Sequence, residues 1–233
     1  PAAYDRPGKT GSGIMKVFDF PLDKKNNGRH FYADDYDEED YIDDEYGSFV
    51  DFEEEHRDQA RRIRLLALDV DGVLTDGTIY MGNDGEMFKG FNAKDGMGIS
   101  YALRNGIEVC IITGRTSEIV RRRAAELGIT CVREGVRDKA AALAQIAEDY
   151  KLELGEIAYI GDDLNDLAPM NICSLSFAPA DAADPVLGFC DCVLMHDGGQ
   201  GAVREAIDLI LAAQDKLDYI VNSYLYSGQG DKQ

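Results

Sequence analysis

The sequence predicts an α/β protein built on a Rossmann-like, doubly wound parallel sheet, and two observations lead to this fold class. From about Arg61 onward, apolar runs of four to eight residues alternate with stretches of helical pattern, and each run ends in Gly, Asp or Thr. The runs are also continuously apolar, which is typical of strands that are buried on both faces of a parallel sheet. A chain of 233 residues is long enough to bury a sizeable core around such a sheet.

Six runs rich in Ile, Val, Leu and Cys are predicted as strands, and the segments between them as helices, because several have apolar residues three and four apart. The strands are expected at Leu65–Val70, Glu108–Thr113, Thr130–Arg133, Ile157–Ile160, Ser174–Phe177 and Cys192–Leu194. The helices are expected at Gly96–Arg104, Ser117–Leu127, Asp138–Tyr150, Asp163–Met170, Ala182–Gly188 and Gly201–Gln214. After the first strand, two short strand-like runs flank the turn Gly82–Gly85, which predicts a projecting β-hairpin over Thr78–Lys89.

Composition divides the chain into three parts. Residues 1–60 form an acidic N-terminal extension, expected to be flexible, with 17 acidic and 7 basic residues. Residues 61–214 form the folded domain, and residues 215–233 form a C-terminal tail. The segment 31–58 combines 14 acidic residues with several tyrosines, which favours a solvated tail over a segment that docks on another surface; both interpretations stay open.

Charge and cysteine content exclude several classes of protein. The net charge of −20 argues against a general nucleic-acid-binding surface. No apolar run approaches the roughly 18 residues of a membrane span, and the N-terminus lacks the order of a signal peptide, so we expect a cytoplasmic protein without a membrane partner. The five cysteines are odd in number and not spaced as a disulfide framework, which favours reduced thiols. With only three histidines present, Cys190 and Cys192 do not indicate a zinc site.

Polar residues follow the predicted strands at their carboxyl ends, which is where ligands collect in a doubly wound sheet. They are Asp69, Asp71, Thr113, Asp162 and Asp163, together with Lys139 at the start of a helix. Clustered carboxylates repel one another unless a cation neutralises them, and oxygen ligands without His or Cys indicate Mg2+. The sequence therefore predicts a magnesium site at this edge of the sheet.

The spacing of Asp69 and Asp71 suits phosphoryl transfer. Alternation along a strand places both on one side, and Gly72 lets the backbone approach a ligand closely. Asp69 is ionised at neutral pH and can attack phosphorus, while Asp71 can protonate the leaving group and later activate water. Thr113 and Lys139 can offer a hydroxyl and a positive charge to the phosphoryl oxygens.

Each motif also has a purely structural interpretation, since an Asp-x-Asp pair arises by chance and Asp162-Asp163 could serve only to cap a helix. Their joint occurrence in one order favours catalysis. The segments Asp69-Val-Asp-Gly-Val-Leu-Thr-Asp-Gly, Ile-Ile-Thr113-Gly-Arg, Lys139 and Ile160-Gly-Asp-Asp-Leu-Asn-Asp resemble the four motifs of the haloacid dehalogenase (HAD) superfamily of phosphohydrolases. The short separation of the first two motifs implies a capless member, with the hairpin in place of a cap domain.

Within this superfamily, the stretch from Leu66 to Gln214 is similar to the 3-deoxy-D-manno-octulosonate 8-phosphate (KDO 8-phosphate) phosphatases of lipopolysaccharide synthesis. The similarity includes Lys94-Asp-Gly-Met-Gly and Gly198-Gly-Gln-Gly-Ala-Val-Arg-Glu. The resemblance implies that Asp69 is the nucleophile, that Asp71 is the general acid and base, and that Thr113 and Lys139 hold the phosphoryl group. It further implies that Mg2+ is held by Asp69, Asp162 and the backbone carbonyl of Asp71, with Asp163 and Asp166 behind these ligands.

The resemblance also implies a homotetramer in which the hairpins pack together and each site is closed by a neighbouring subunit. For the sugar phosphate substrate, a carboxylate calls for basic partners, and Arg115 and Arg123 are candidates. The full set of substrate-binding candidates is Gly72, Lys94, Gly114, Arg115 and Arg123.

Two alternatives remain at this point. Relatives that hydrolyse nonulosonate 9-phosphates, such as KDN 9-phosphate, carry Glu rather than Arg after the Thr-Gly pair. Arg115 therefore favours the eight-carbon substrate. Gln200 stands where some relatives carry Arg, which leaves one substrate contact open. The second alternative is a non-catalytic binding protein whose acidic arm recruits a basic partner, but the presence of every catalytic position argues against it.

Overall fold

A six-stranded parallel sheet and a two-stranded hairpin form the strands of residues 54–227, the part of the chain that the computed structural model describes. In chain order the strands are β1 (Leu65–Leu68), β2 (Tyr80–Gly82), β3 (Gly85–Phe88), β4 (Glu108–Ile112), β5 (Cys131–Arg133), β6 (Ile157–Ile160), β7 (Leu175–Ala178) and β8 (Cys192–Val193). The large sheet has the order β5-β4-β1-β6-β7-β8. The chain therefore winds outward in both directions from β1, and the predicted doubly wound fold is confirmed.

Eight α-helices accompany these strands within the described residues. They are α1 (Glu54–Arg62), α2 (Ala93–Arg104), α3 (Glu118–Leu127), α4 (Lys139–Tyr150), α5 (Leu167–Ile172), α6 (Asp184–Leu187), α7 (Ala202–Ala213) and α8 (Leu217–Ser227). The helix predicted over Asp163–Met170 is divided into a 3₁₀ turn, Leu164–Asp166, and α5. The division follows from Asp163, whose carboxylate accepts a hydrogen bond from the N–H of Leu164 at 2.7 Å.

Two helices lie outside the predicted set. Helix α1 crosses the predicted boundary at residues 60 and 61, and its Ala60 is fully buried in the same apolar cluster as α7. Helix α8 lies in the segment treated as a C-terminal tail, and its Leu217 and Ile220 are buried there as well. Most of the acidic extension, including the apolar patch at 14–20 and the segment 31–53, lies outside the described residues.

Alternating residues of the strands supply the two apolar layers of the core. On one face, Leu66 and Leu68 of β1 pack in a cluster that includes residues of α1, α2, α3, α7 and α8. On the other face, Leu65 and Ala67 of β1 join Ile146 of α4 and residues of α5 and α6. Strands that bury both faces in this way explain the continuous apolar runs in the sequence.

The predicted hairpin is present as β2 and β3, and Tyr80 and Phe88 stack across it with ring centroids 4.2 Å apart. Its other apolar side chains face outward: Met81 is 60% exposed and Met87 is 63% exposed. Between β1 and β4 the described chain contains only this hairpin and α2, so the predicted capless architecture is confirmed.

The cysteine prediction is wrong in one respect. Cys110 and Cys131 lie directly opposite each other on β4 and β5, with Cα atoms 4.7 Å apart, and form a disulfide. Residue spacing did not reveal this pair because it depends on the register of two strands that are separated by a helix. Cys173, Cys190 and Cys192 are not part of a disulfide, and for these three the prediction of reduced thiols is confirmed.

In residues 54–227, none of the helices combines the length and the apolar character that crossing a bilayer requires. The cytoplasmic location stays a prediction from the sequence.

Candidate active site

The carboxyl ends of β1, β4 and β6 bring together polar residues that are far apart in the sequence. Asp69 follows β1, and its N–H donates to the carbonyl of Ile160 at 3.1 Å, so its position is fixed by the end of β6. Thr113 follows β4 and is tied in the same way, its N–H donating to the carbonyl of Arg133 at 2.9 Å. Both side chains are buried, which leaves them a narrow range of orientations.

Lys139 lies at the centre of this edge, on the first turn of α4. The carboxylate of Asp138 caps α4 by accepting from the N–H of Ala141 at 2.9 Å, and this cap sets where the helix begins. The Lys139 Nζ atom is 2.7 Å from Asp69 Oδ2 and 2.7 Å from Asp166 Oδ1. Burial opposes the charged form of Lys139, but the two carboxylates outweigh it and raise the pKa of this lysine. The amine is therefore a fixed positive charge beside Asp69.

Asp166 is fully buried and all of its hydrogen-bonding capacity is directed at the protein. Its Oδ1 accepts from Lys139 and, at 2.6 Å, from the hydroxyl of Tyr159. Its Oδ2 accepts from the N–H groups of Asp162 at 3.2 Å and Asp163 at 3.4 Å. Burial and the nearby carboxylates raise the pKa of Tyr159 well above its ordinary value, so its hydroxyl remains a donor. Asp166 thus holds Lys139 and the loop after β6 in place.

Asp69 and Asp162 carry the clearest sign that the site binds a cation. Carboxylate oxygens of Asp69, Asp162 and Asp166 all lie within 4.8 Å of one another. Burial raises the pKa of Asp162 to about 7, and the charges of Asp166 and Asp69 add to this rise. Burial and Asp166 also raise the pKa of Asp69 to about 6, against the opposing effect of Lys139. The donor set contains only oxygen, which fits a hard divalent cation such as Mg2+.

The turn after Asp71 requires glycine. Gly72 has φ of +88°, and a Cβ atom built on it would lie 2.0 Å from Oδ2 of Asp162. A Cβ on Gly198 would lie 1.9 Å from the carbonyl oxygen of Gly72, and the N–H of Gly199 donates to the carbonyl of Val73 at 2.9 Å. The glycine-rich segment therefore packs its backbone directly against the loop that carries Asp71.

Asp71 is contacted by two cations, Arg115, which the sequence predicted as a site residue, and Lys89, which it did not. The Nζ atom of Lys89, at the base of the hairpin, forms an ion pair with Asp71 Oδ1, and Arg115 Nε is 3.7 Å from Asp71 Oδ2. Lys89 also lies 3.1 Å from Glu86 Oε1, and Glu86 accepts a hydrogen bond from the Ser117 hydroxyl. The hairpin was predicted, but its orientation over Asp71 is a tertiary feature without a local sequence signal.

Five further residues were predicted for the site, and the structure places them as follows. Gly114 and Arg115 follow Thr113 in an exposed loop at the edge that carries the acidic cluster. Lys94 is exposed on the first turn of α2, and Asp163 is exposed at the start of the 3₁₀ turn. Arg123 lies over the ring of Phe91, 5.9 Å from its centroid, and its Nη1 is 2.8 Å from Glu126. Of the two predicted carboxylate partners, the structure brings Arg115 to Asp71 and directs Arg123 to Phe91 and Glu126.

Comparisons with known proteins point to one family. A model of haloacid dehalogenase-like hydrolases matches residues 132–207. The 3-deoxy-D-manno-octulosonate 8-phosphate phosphatase of Escherichia coli is 50% identical over 160 residues, which cover 69% of this chain and 85% of that protein.

Two solved structures are similar over most of their own length. The 3-deoxy-D-manno-octulosonate 8-phosphate phosphatase of Yersinia pestis has a TM-score of 0.70 and 46% identity, covering 71% of this chain and 89% of that one. The enzyme of that name from Moraxella catarrhalis, in complex with a magnesium ion, a phosphate ion and KDO, has a TM-score of 0.70 and 38% identity, covering 72% of this chain and 97% of that one.

Proposed function

The chain belongs to the 3-deoxy-D-manno-octulosonate 8-phosphate phosphatases, a group of haloacid dehalogenase-like hydrolases, and from this membership we propose its reaction and the residues that perform it. It is a Mg2+-dependent phosphatase that hydrolyses KDO 8-phosphate to KDO and inorganic phosphate in lipopolysaccharide synthesis. One observation carries the proposal: the buried carboxylate of Asp69 lies 2.7 Å from Lys139 and within 4.8 Å of Asp162. The Moraxella catarrhalis relative was solved with Mg2+ and with both products of this reaction.

In the first chemical step, a carboxylate oxygen of Asp69 attacks the phosphorus atom of the substrate. The bond between phosphorus and the sugar oxygen breaks, and Asp71, entering this step as the protonated acid, transfers its proton to that oxygen. The products of the step are KDO, an aspartyl phosphate on residue 69 and an ionised Asp71. The positions of Asp69 and Asp71 at the end of β1 support these roles, because the loop that carries them is fixed by β6 and by the glycine-rich segment.

In the second step, water hydrolyses the aspartyl phosphate. Asp71 now acts as the base and takes a proton from the water, whose oxygen attacks phosphorus. The bond between phosphorus and the Asp69 oxygen breaks, which releases inorganic phosphate and regenerates the Asp69 carboxylate and the protonated Asp71. Each cycle therefore returns both aspartates to their starting forms.

The phosphoryl oxygens are bound by Thr113 and Lys139. The Thr113 side chain is buried at the end of β4, where its hydroxyl and the neighbouring backbone N–H groups can donate to an anion. Lys139 contributes a positive charge that Asp166 holds in a single position. Fixed donors and charges of this kind stabilise the charge that develops in the transition state without reorganising during the reaction.

We assign Asp69, Asp162 and the backbone carbonyl of Asp71 as the residues that would hold Mg2+. When bound there, the ion would neutralise negative charge on the phosphoryl group. Asp166 acts behind these ligands, because its oxygens are occupied by Lys139, Tyr159 and backbone N–H groups. Asp163 supports the metal site indirectly, because it caps the 3₁₀ turn that contains Asp166.

For the sugar acid, Arg115 is the carboxylate partner that the geometry supports best. It lies beside Asp71 and is about half exposed, with 47% of its side chain accessible, so its guanidinium can reach a ligand. Gly72 and Gly114 allow the backbone to approach the substrate closely. Lys94 and Arg123 stay predictions as substrate-binding residues, since their described contacts lie elsewhere.

We further propose that the enzyme is a homotetramer assembled through its hairpins. Met81, Met87 and Phe88 are 60%, 63% and 50% exposed in the isolated chain. Apolar side chains grouped on one projecting element indicate a surface that is covered in the assembly. A neighbouring subunit over the site would exclude water where no cap domain is present.

Phosphate release from a panel of sugar phosphates, with Mg2+ and with a chelator, tests the proposal. We expect Mg2+-dependent turnover with a higher kcat/KM for KDO 8-phosphate than for KDN 9-phosphate. A preference for the nine-carbon ester would overturn the substrate, and activity that survives exhaustive chelation would overturn the metal-dependent mechanism.

A further inference from the structure

Lys89 is a buried charge at the base of the hairpin. Only 2% of its side chain is exposed, and its Nζ atom contacts the carboxylates of Asp71 and Glu86. Burying an ammonium group is costly unless it is paired, so these two contacts determine where the amine lies. None of the roles proposed for the reaction belongs to this lysine.

The amine is anchored on its other side by a chain of contacts that leads to α3. Glu86 accepts a hydrogen bond from the hydroxyl of Ser117, the residue that caps α3. The N–H of Ser117 in turn donates to Glu134 Oε1 at 2.8 Å. Burial opposes the ionised form of Glu86, but the hydrogen bonds from Ser117 and Lys89 and the charge of Lys89 together lower its pKa, so this carboxylate is ionised at neutral pH. Lys89 is therefore held between a fixed anion and Asp71.

The two aspartates at the end of β1 have separate lysine partners. Lys139 contacts Asp69 and Asp166, whereas Lys89 contacts Asp71 and Glu86. On Asp71, Lys89 engages Oδ1, and Arg115 Nε lies 3.7 Å from Oδ2, which is beyond hydrogen-bonding distance. Oδ2 is thus the oxygen of Asp71 that remains available to carry the proton for the leaving group.

We propose that Lys89 is a positioning residue for the acid/base carboxylate of Asp71, orienting its Oδ2 atom toward the oxygen of the departing sugar. This inference rests on the proposed phosphatase function and deepens it. Lys89 itself transfers no proton and does not touch phosphorus. Its effect passes through Asp71 alone, and the hairpin that carries it is thereby connected to the chemistry.

The inference has a signature that a purely structural role would lack. A sugar alkoxide is a poor leaving group and needs the proton from Asp71, whereas p-nitrophenolate departs without one. Misplacing Asp71 should therefore slow cleavage of KDO 8-phosphate much more than cleavage of p-nitrophenyl phosphate. A general loss of folding or of Mg2+ binding would slow both substrates alike.

The test is single-turnover kinetics of the full-length protein with Mg2+ and with enzyme in excess, so that release of KDO or p-nitrophenol reports the first step alone. For Lys89→Met we expect KDO release to slow roughly 10- to 100-fold and p-nitrophenol release to change by less than about threefold. Lys89→Arg, which keeps the charge, should shift the ratio in the same direction by a smaller factor and remains informative if Lys89→Met does not fold. Lys151→Met, the same substitution at an exposed lysine that ends α4 and lies outside the hairpin, is the matched control and should leave both rates unchanged.

The outcomes separate this inference from the proposed function. If the wild-type protein releases neither product in the presence of Mg2+, the phosphatase assignment itself fails. If the wild-type protein is active but the Lys89 variants slow both substrates equally, or slow neither, the positioning role of Lys89 is wrong. A selective loss with KDO 8-phosphate supports it.

Discussion

Gly72 lies directly against the carboxylate of Asp162, so closely that a Cβ atom on the glycine would be 2.0 Å from Asp162 Oδ2. The carboxylate is part of another motif, more than eighty residues further along the chain. A small residue in the first motif thus determines how closely a proposed metal ligand can approach Asp69.

Gly72→Ala should lower activity by displacing Asp162. Both the positive φ of +88° and the contact oppose the new methyl group. Gly106→Ala is a matched control, because Gly106 has φ of +79° and a Cβ there would meet nothing within 4 Å. Each variant should lose about 1–2 kcal/mol of unfolding free energy from backbone strain, but only Gly72→Ala should need more Mg2+ for half-maximal activity. An equal Mg2+ requirement in the two variants would show that the contact is irrelevant to metal binding.

Asp69→Asn should abolish turnover while leaving the protein folded. The amide is a poor nucleophile and leaves the Lys139 amine with Asp166 as its charged partner, so we expect kcat to fall by at least about 10³-fold. Phosphate release and thermal unfolding of the same preparation measure the two effects separately. Full activity in a folded Asp69→Asn protein would refute the aspartyl phosphate mechanism.

The stability of the metal-free protein should fall between acid and neutral pH. Burial raises the pKa values of Asp69 and Asp162 from an ordinary 3.8 to about 6 and about 7. The folded state therefore binds protons more tightly than the unfolded state, and this stabilisation is lost as the pH rises from about 4 through about 7. Bound Mg2+ would replace the lost protons as the neutralising charge. Its stabilising effect should therefore be larger at pH 8 than at pH 5.5.

Thermal unfolding in Mg2+ and in a chelator at both pH values measures this difference. At pH 8, a Mg2+ concentration of about 100 Kd should raise Tm by roughly 5–10 °C. Asp162→Asn removes one proposed ligand and should reduce this response. Equal Mg2+-induced shifts at the two pH values would contradict the assignment of these carboxylates to the metal site.

The parts of the site that could be predicted are those that a local run of residues indicates. The strands after which Asp69, Thr113 and Asp162 lie could be predicted because each is a continuous apolar run, and parallel strands place their carboxyl ends at one edge. The contact between Lys89 and Asp71 could not be predicted, because it depends on how the hairpin packs over the edge of the sheet. Glu86 lies in the short strand β3 and Lys89 directly follows it, and polar residues at these positions are equally typical of a solvated hairpin.

The same distinction explains the differences in the fold. Helix α8 lies within the segment 215–233 that the sequence predicts as a tail, because a short helix of this kind gives little periodic signal before its docking partners are known. The pairing of Cys110 with Cys131 depends on the register of β4 and β5, which residue spacing alone does not define. Arg123 contacts Phe91 and Glu126 within the chain, and its role in substrate binding stays a prediction.

Charged substitutions on the hairpin should separate assembly from folding. Met81 and Met87 are exposed in the isolated chain and do not contribute to either apolar core cluster, so Met81→Glu combined with Met87→Glu should leave the unfolding temperature of the monomer nearly unchanged. Each glutamate would be desolvated in a hairpin-mediated tetramer, so the assembly should dissociate. Because the site would then be open to water, kcat/KM for KDO 8-phosphate should fall roughly 10- to 100-fold.

Light scattering after size-exclusion chromatography, with activity measured on the same fractions, tests both effects. Val193→Glu places the same charge at an exposed apolar position on β8 and should keep the wild-type mass and activity. A hairpin variant that stays tetrameric, or a wild-type protein that is monomeric yet fully active, would show that the hairpin does not assemble this enzyme.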